Sequence, residues 1–521
     1  MQRLSEDRNF EEGALYAGKD ALIYNSVQEE GNIYTVLKNS SKKYVDNFEV
    51  IKGELYYFAP NEQTKKWAQE IGIKISPYKI VDGELISDDI NVGLRDETTG
   101  SIIIPQSVTK IGEGAFAKVD VRTLVIPPTV KEISRNAFRG NTTLEEVIFQ
   151  TRMIKGKEEG LEKIGEFAFF ECRKLKTIKM PNTVTEIGEE VFNNCTSLSE
   201  VVLSNNLTQI PYHSFAYCSS ITEIVIPEKV KKIGGYAMRN CNSLKSVTIT
   251  KGLENIATST FLNCKNLNTI NIIENENFKF KEGVLLNKDE TNIIFLSASV
   301  LQQGDTFNVP NKVKSLGGGL IDGYNNIKKV QIPASVTSIG VEFYTTSLTH
   351  VEIDENNPNY CSTGEVIYNK EKTVLYKHLN TRTNVNIEEG VNIIAERAFM
   401  GCSNLTSVTL PNSLTEIWYE GFAMIWNLKS IHIGKNLRSL DPMTFWSSRN
   451  ITDFTIDEAN EFYETDGTTI YNKGRTKIVT VLPSVQYYTI PSGITEIGNL
   501  AFYNQNIKEI TIPEGVISIR R

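Results

Sequence analysis

The most regular feature of the sequence is a pattern of apolar positions that returns every 22 or 23 residues. One unit runs from Leu175 to Cys195 and reads LKTIKMPNTVTEIGEEVFNNC. Its first part alternates apolar and polar residues, which predicts a short strand with one buried face. Leu175, Ile178 and Met180 are expected to point inward, and the intervening polar side chains outward. The proline that follows cannot donate a hydrogen bond to a neighbouring strand, so the pairing ends there.

The second half of the unit predicts a bend and a compact turn. Val184 and Ile187 are apolar and are expected to face inward, while Gly188 permits a sharp change of direction. The segment EEVFNNC fits a single helical turn with Phe192 and Cys195 on one side, because residues three apart share a side of a helix. Each unit is thus predicted to send apolar side chains into one interior.

The unit recurs along most of the chain. The position that Phe192 occupies, called the aromatic slot below, recurs thirteen times and holds phenylalanine in all but two units. The residues in this slot are Phe116, Phe138, Phe169, Phe192, Phe215, Met238, Phe261, Leu320, Phe343, Phe399, Phe422, Phe445 and Phe502. A unit of this size cannot bury its own apolar face, whereas stacked copies can. The predicted fold class is therefore a solenoid with a parallel β-sheet on one face, strands roughly 4.8 Å apart, and short helical turns and loops elsewhere.

The repeat also defines the domain organisation. Residues 101–521 hold about 13 full units of 22–23 residues plus a partial one, with longer insertions near 274–309, 354–386 and 457–489. Each insertion contains alternating segments around an Asn-Lys pair, which predicts a β-hairpin that extends the sheet. The partial unit, IPEGVISIRR, would leave an apolar edge uncovered, so we expect a truncated chain or end-to-end self-association.

Residues 1–100 lack the repeat and predict a small α+β region. NFEVIKGELYYFAP suggests two strands around Lys-Gly, and NEQTKKWAQEIG suggests a short amphipathic helix. Because the apolar ends of a solenoid need cover, we interpret this region as an N-terminal cap. An accessory domain with its own function is the alternative.

Three stretches resemble the BspA-type leucine-rich repeat, namely IPASVTSIG, AERAFMGCSNLTSVTLP and IPSGITEIGNLAFYNQNIKEITIP. The resemblance covers about residues 101–521. It implies a leucine-rich-repeat solenoid and a bacterial surface or secreted binding protein, in some cases an adhesin, so the expected localisation is extracellular or at the cell surface. The start, MQRLSEDRNFEEG, shows no signal peptide. The chain has no apolar run of 18 residues, so no transmembrane segment is expected.

Composition and charge narrow the class of partners. The 521 residues are 40% hydrophobic and 23% charged, which is typical of a folded soluble protein. The formal net charge is −8, and lysine and arginine are scattered rather than clustered. No nucleic-acid partner is expected, because proteins that bind nucleic acids present a basic patch.

Five cysteines at 23-residue spacing are the first candidates for chemistry, namely Cys172, Cys195, Cys218, Cys241 and Cys264. They could form a ladder of soft-metal ligands, or they could be one core residue copied five times. A zinc site needs four ligands that converge on one point, whereas a ladder points its side chains in parallel. We therefore predict buried, reduced and metal-free thiols that act as small hydrophobic residues.

The sequence offers no catalytic constellation. Its four histidines form no close metal pair, and no nucleophile elbow, phosphate-binding loop or dinucleotide fingerprint occurs. Acidic strand exits such as IDENNP at 353–358 could hold Ca²⁺, but turn chemistry explains them better. We expect no enzyme, no catalytic residue, no cofactor and no metal. An enzyme site within residues 1–100 is the second alternative.

The outward side of the sheet is the remaining candidate for function. Its candidate ligand-binding positions are Thr177, Lys179, Glu200, Val202, Glu223, Val225, Ser246, Thr248, Thr269, Asn271, Lys329, Gln331, His350, Glu352, Ser407, Thr409, Ser430 and His432. Solenoids bind ligands through extended surfaces of this kind, although Thr and Val also suit strands for structural reasons alone. We expect a non-enzymatic, adhesin-like protein that binds a host or bacterial surface protein or glycan through this face. The alternative is a structural stalk that presents the N-terminal region.

Overall fold

The computed structural model describes residues 101–520, with gaps at 107, 118, 258, 303, 318–319, 322–324, 341–346 and 504–505. It also describes the short stretches 15–17, 22–24, 48–51, 54–57, 74–75, 79–81 and 83–86. The chain divides into two units, Met1–Phe278 and Lys279–Arg521, called unit 1 and unit 2 below. Most of the predicted N-terminal region, including its helix, lies outside the described residues.

In unit 1, the alternating segment of each repeat forms a long parallel strand, and these strands make a sheet of five followed by a sheet of three. Their bounds are Ser101–Ile103, Thr123–Ile126, Glu146–Phe149, Thr177–Lys179, Glu200–Val202, Glu223–Val225, Ser246–Ile249 and Thr269–Ile272. Equivalent positions of neighbouring repeats pair, as Lys179 does with Val202. The predicted inward positions are confirmed, since Leu175 and Ile178 are fully buried and Met180 is 5% exposed.

The segment of each repeat that corresponds to VTEIG forms a short strand, and in unit 1 these short strands make a second pair of sheets, which is interrupted after Glu186–Ile187. Its two-residue strands are Lys110–Ile111, Glu132–Ile133, Lys163–Ile164, Glu186–Ile187, Gln209–Ile210, Lys232–Ile233 and Asn255–Ile256. The antiparallel pair Lys79–Val81 and Glu84–Ile86 precedes the first of them in the same sheet. The alternation predicted one sheet, but the backbone at the bend also pairs between repeats, as when Gly188 N donates to Ile164 O at 2.8 Å.

The remaining strands of unit 1 belong to small antiparallel and mixed pairings. Their bounds are Leu15–Ala17, Leu22–Tyr24, Phe48–Ile51, Glu54–Tyr57, Lys74–Ile75, Arg152–Ile154 and Lys157–Glu159. The last two form a hairpin that a salt bridge from Arg152 to Glu159 at 2.9 Å closes.

Unit 2 contains the same two kinds of sheet. Its long strands are Thr306–Asn308, Lys329–Ile332, His350–Ile353, Asn384–Asn386, Ser407–Thr409, Ser430–Ile433, Asp453–Ile456, Tyr487–Thr489 and Glu509–Thr511. Its short strands are Ser315–Leu316, Ser338–Ile339, Ile393–Ile394, Glu416–Ile417, Ser439–Leu440, Glu496–Ile497 and Ser518–Ile519. Ile517 and Ile519 are 84% and 64% exposed. The expected end-to-end self-association stays a prediction.

The three insertions each contribute three strands. Their bounds are Phe278–Lys281, Val284–Asn287, Ile293–Leu296, Tyr360–Ser362, Val366–Asn369, Val374–His378, Tyr463–Thr465, Thr469–Asn472 and Lys477–Val481. In the second and third insertions the last strand pairs in parallel with a short strand, so that these insertions extend the sheets of short strands. Among the described residues the one α-helix is Ala298–Gln302, in the first insertion.

The aromatic slot builds stacks of buried rings inside each unit. The stacked phenylalanines are Phe116, Phe138, Phe169, Phe192 and Phe215 in unit 1, and Phe399, Phe422 and Phe445 in unit 2. In unit 1 the successive ring centroids lie 5.0, 4.9, 5.4 and 5.3 Å apart. This spacing is close to the distance of about 4.8 Å between strands, so one repeat geometry satisfies both the sheet and the stack.

The segment predicted as a helical turn is a run of tight turns instead. Glu190 and Asn194 have φ angles of 53° and 63°, which interrupt any helix. Phe192 N donates to Ser214 O at 2.9 Å, and Asn194 N donates to Ala216 O at 2.8 Å. Alternate amides therefore bond to the next repeat rather than within a helix, which ties neighbouring repeats together along this edge.

Candidate functional site

Each thiol of the cysteine ladder donates a hydrogen bond to a carbonyl of the preceding repeat. Cys218 Sγ lies 3.1 Å from Phe192 O, and the four other ladder thiols make the same bond at 3.0–3.2 Å. Ser448 fills this slot in unit 2, where its hydroxyl donates to Phe422 O at 2.8 Å. This position therefore holds a small side chain that donates a hydrogen bond to a buried carbonyl. The prediction that the cysteines act only as small hydrophobic residues did not include this hydrogen bond.

Thiol labelling of the folded protein is expected to modify Cys361 first and to leave the other cysteines intact. All seven are free; six are buried and Cys361 is partly exposed. Only the thiolate reacts, and burial raises the pKa of Cys218 to about 12. A disulfide reagent at mildly alkaline pH should release about one equivalent of product from the native protein and all seven after denaturation. Rapid native modification of the buried thiols would contradict this assignment.

The other candidates for chemistry are held in structural contacts. His378 is 3% exposed, and its ring continues the aromatic stack at 5.1 Å from Phe399. Asp354 Oδ1 accepts a hydrogen bond from Asn356 N at 2.8 Å, so turn chemistry accounts for this acidic strand exit. Within the part of the chain that the structure describes, no three His, Cys, Asp or Glu side chains form a group that could hold a metal.

The predicted face residues lie on the outward side of the long strands, where their side chains are partly or fully exposed. Unit 1 holds Thr177, Lys179, Glu200, Val202, Glu223, Val225, Ser246, Thr248, Thr269 and Asn271. Unit 2 holds Lys329, Gln331, His350, Glu352, Ser407, Thr409, Ser430 and His432. Their role in binding stays a prediction.

The face in unit 1 has an exposed apolar centre. Val202 and Val225, one repeat apart, are 48% and 56% exposed, and Glu200 and Glu223 lie two residues before them on the same strands. Lys179 Nζ lies 2.9 Å from Glu200 Oε1. The carboxylate of Glu223 has no ion pair or hydrogen bond with another described residue. Exposed apolar side chains beside an unpaired charge are typical of a contact surface.

The face in unit 2 contains a charged cluster. Glu352 accepts hydrogen bonds from Lys329 Nζ at 2.6 Å and from Gln331 Nε2 at 2.7 Å, and His350 Nε2 lies 3.4 Å from it. The bond from Lys329, followed by that from Gln331, lowers the pKa of Glu352 to about 2, so this carboxylate stays charged at physiological pH. A groove of about 430 Å³ lies beside the cluster, and its lining includes Asn308, Asn311, Gln331, Glu352 and Asp354.

The sequence interpretation missed that the second insertion reaches this cluster. Val351 N donates to Gly364 O at 2.7 Å. Gly364 has a φ of 91°, and a Cβ on it would lie 2.6 Å from Cε1 of His350. The insertion therefore covers one side of the imidazole, and only glycine fits at this turn.

Three other face residues of unit 2 bond to side chains on the neighbouring long strands. Ser430 Oγ donates to Asp453 Oδ2 at 2.9 Å, and His432 Nδ1 lies 2.9 Å from Thr455 Oγ1. Ser407 Oγ donates to Asn384 Oδ1 in the same way. These internal bonds leave this part of the face less available to a partner than Val202 and Val225 of unit 1.

Parallel strands at a 22–23-residue repeat, stacked aromatic rings and an outward sheet face define a leucine-rich-repeat solenoid. The chain belongs to the BspA-type leucine-rich repeat family. The model of the BspA type leucine rich repeat region matches it at residues 96–161, 162–289, 294–364, 371–485 and 481–521, in 6 copies. The part of the chain that the structure describes contains no helix with the length and the apolar composition of a membrane span.

Several solved structures are similar to this chain. A leucine-rich cell surface protein from Faecalibacterium prausnitzii is 21% identical, with a TM-score of 0.42 over 73% of this chain and 92% of that one. A leucine-rich repeat protein from Eubacterium ventriosum is 18% identical, with a TM-score of 0.44 over 72% and 90%. The pneumococcal vaccine antigen PcpA is 18% identical, with a TM-score of 0.38 over 85% and 96%. No curated protein matches the chain.

Proposed function

We propose that this protein is a non-enzymatic binding protein of the bacterial cell surface or extracellular space, and that it recognises a host or bacterial surface protein or glycan through the long-strand face. The observation that supports this most is the exposed pair Val202 and Val225, flanked by Glu200 and Glu223. Removing such β-branched side chains from water favours association, and a partner with basic groups would match the carboxylates. The BspA-type family, typically of surface or secreted binding proteins, supports the location.

The apolar centre favours a protein partner over a glycan for this part of the face. Protein interfaces combine a desolvated apolar core with a polar rim, and the two valines and two glutamates have that arrangement. The charged cluster around Glu352 is a second contact area on the face of unit 2, where Lys329 and Glu352 already neutralise one another. We expect substitutions there to weaken capture less than substitutions beside the valines.

The double variant Glu200→Lys and Glu223→Lys of the full chain is expected to lose binding. A capture assay on an array of host and bacterial surface proteins and glycans identifies the partner with the unchanged chain. The variant should then bind about tenfold more weakly, because the unpaired carboxylate of Glu223 becomes a cation, and the lysine that replaces Glu200 repels Lys179 and a basic partner instead of pairing with Lys179. The matched control is Glu158→Lys with Glu254→Lys, which changes the net charge equally at exposed sites away from this face. Equal binding by the two double variants would reject the face assignment.

A further inference from the structure

Unit 1 carries a groove on its short-strand side, distinct from the long-strand face. The groove has a volume of about 610 Å³, within the range of small-molecule sites. Two rows of outward side chains border it, one on the short strands and one just after them. One end of its lining includes Glu189, Gln209, Tyr212, Lys232 and Gly235.

The charged groups at the opposite end of the groove are paired with each other. Lys163 Nζ lies 2.9 Å from Glu186 Oε1, and Arg135 Nε lies 3.8 Å from Glu166 Oε2. Glu132 also lines this end, and its carboxylate lies 3.8 Å from Lys110 Nζ, so each charged group here has a partner of opposite sign. These ion pairs leave little free hydrogen-bonding capacity for a ligand.

The other end of the groove has polar groups without partners. The side chains of Glu189, Gln209 and Lys232 are exposed and make no hydrogen bond or ion pair with another described residue. Together, the carboxylate, the amide and the ammonium group offer both hydrogen-bond acceptors and hydrogen-bond donors. Their charges cancel, so this end favours a neutral, hydroxyl-rich ligand over a phosphate or a polyanion.

Tyr212 provides an aromatic platform at this same end. Its ring is stacked on the imidazole of His213, with centroids 4.0 Å apart and planes 12° apart, and Tyr236 meets it edge-on at 5.9 Å. The next repeat has Gly235 in the slot of Tyr212 and therefore places no side chain there. Tyr212 is 40% exposed. One face of the ring is thus supported, and the other is left open to a ligand.

The local sequence fixes this platform before any ligand arrives. The repeat reads QIPYH where its neighbours read EIGEE and KIGGY, so Pro211 replaces a glycine and restricts the backbone before Tyr212. His213 has a φ of 53°, which turns the chain sharply after the tyrosine. A ring held in this way loses little freedom on binding, which favours affinity.

We propose that this groove is a carbohydrate-binding subsite that takes a short, neutral oligosaccharide. A pyranose ring has an apolar C–H face, which suits the open face of Tyr212, and a rim of hydroxyl groups. Glu189 accepts hydrogen bonds from hydroxyl groups, Lys232 donates them, and Gln209 does both. The groove is separate from the long-strand face, so the tests of oligosaccharide binding and of partner binding at that face are independent.

Titration calorimetry of the full chain with cellohexaose, maltohexaose and chitohexaose, each to about 5 mM, tests this site. We expect at least one of the three to bind. Tyr212→Ala should weaken that binding by about tenfold, because aromatic anchors dominate such contacts. Tyr212→Phe keeps the platform and should bind like the unchanged chain. Gln209→Ala and Glu189→Gln should each weaken binding by about threefold.

Two controls separate this site from other causes. Tyr217 is 38% exposed but does not line the groove, so Tyr217→Ala should bind like the unchanged chain. Glu200→Lys with Glu223→Lys should also leave oligosaccharide binding unchanged. Absence of binding by all three oligosaccharides, or unchanged binding by Tyr212→Ala, overturns the proposal. If circular dichroism shows that Tyr212→Ala is misfolded, the exposed-residue variants Gln209→Ala and Glu189→Gln decide the matter.

Discussion

Replacement of Phe192 by alanine is expected to lower the free energy of unfolding of unit 1 by about 3–5 kcal/mol. The ring is fully buried, and it stacks between Phe169 at 5.4 Å and Phe215 at 5.3 Å. The substitution leaves a cavity in the middle of a stack and removes two ring contacts together. Because each repeat is stabilised mainly by its neighbours, we expect the loss to spread to the adjacent repeats.

Urea unfolding followed by circular dichroism measures this effect. Tyr217→Ala removes an exposed ring one repeat away and serves as the control, with an expected change of about 0.5 kcal/mol or less. A change for Phe192→Ala within about 1 kcal/mol of zero would contradict the role of the stack, since it would mean that the core closes over the cavity at little cost.

Replacement of Asn357 by alanine is expected to destabilise unit 2 by about 3 kcal/mol. This side chain is completely buried at the start of the second insertion. Its Nδ2 donates to Pro333 O at 3.2 Å and Val336 O at 2.9 Å, and its Oδ1 accepts from Asn359 N at 3.0 Å and Tyr360 N at 2.9 Å. The substitution leaves the carbonyl of Val336 and the amides of Asn359 and Tyr360 without these partners, whereas Pro333 O still accepts a hydrogen bond from Val336 N at 3.3 Å.

The comparison with Asn357→Leu isolates the hydrogen bonds. Leucine has the same branched arrangement of four heavy atoms and keeps the space filled, but it makes none of the four bonds, so it should be destabilising as well. Asn356→Ala, at the exposed neighbouring position, should change stability by about 0.5 kcal/mol or less. If the leucine variant were as stable as the unchanged chain, packing rather than hydrogen bonding would explain this asparagine.

The inward positions of the repeat were predictable because successive side chains of a strand point to opposite faces, and the apolar ones lie on the buried face. Leu175, Ile178 and Val184 are fully buried, as the apolar pattern predicts. Phe192 and Cys195 also lie in the interior, but the spacing of three residues fits a helical turn and consecutive tight turns equally well. The choice between the two depends on hydrogen bonds to the next repeat, which the sequence of one unit does not contain.

The apolar pattern did not predict three features of the structure: buried asparagines, a groove beside a glycine, and the sheets of short strands. Asn275, Asn357 and Asn460 open the three insertions and bond to backbone carbonyls of the preceding repeat, although composition alone suggests exposed turns. The groove beside Tyr212 depends on Gly235, a position where no side chain is present. The short strands have two residues each and are too short to produce a period that can be recognised.

The sequence predicts which side chains lie on the outward face, but not which of them are available to bind a partner. Alternation identifies which side chains point out, and the exposed positions of Val202 and Glu223 agree with it. The internal bonds of Ser430 and His432 could not be predicted, because they depend on the conformation of side chains in the next repeat. The identity of the partner could not be predicted from this sequence, because the surface of the partner determines half of the contact.

Carboxyl footprinting of the complex with the captured partner tests the central claim most directly. A carbodiimide couples an amine label to exposed carboxylates, and mass spectrometry measures the uptake at each residue. We expect labelling of Glu200 and Glu223 to fall on binding, while that of the exposed Glu158 stays unchanged. Equal labelling of Glu200 and Glu223 in the free and the bound protein would contradict the assignment of the long-strand face as the binding surface.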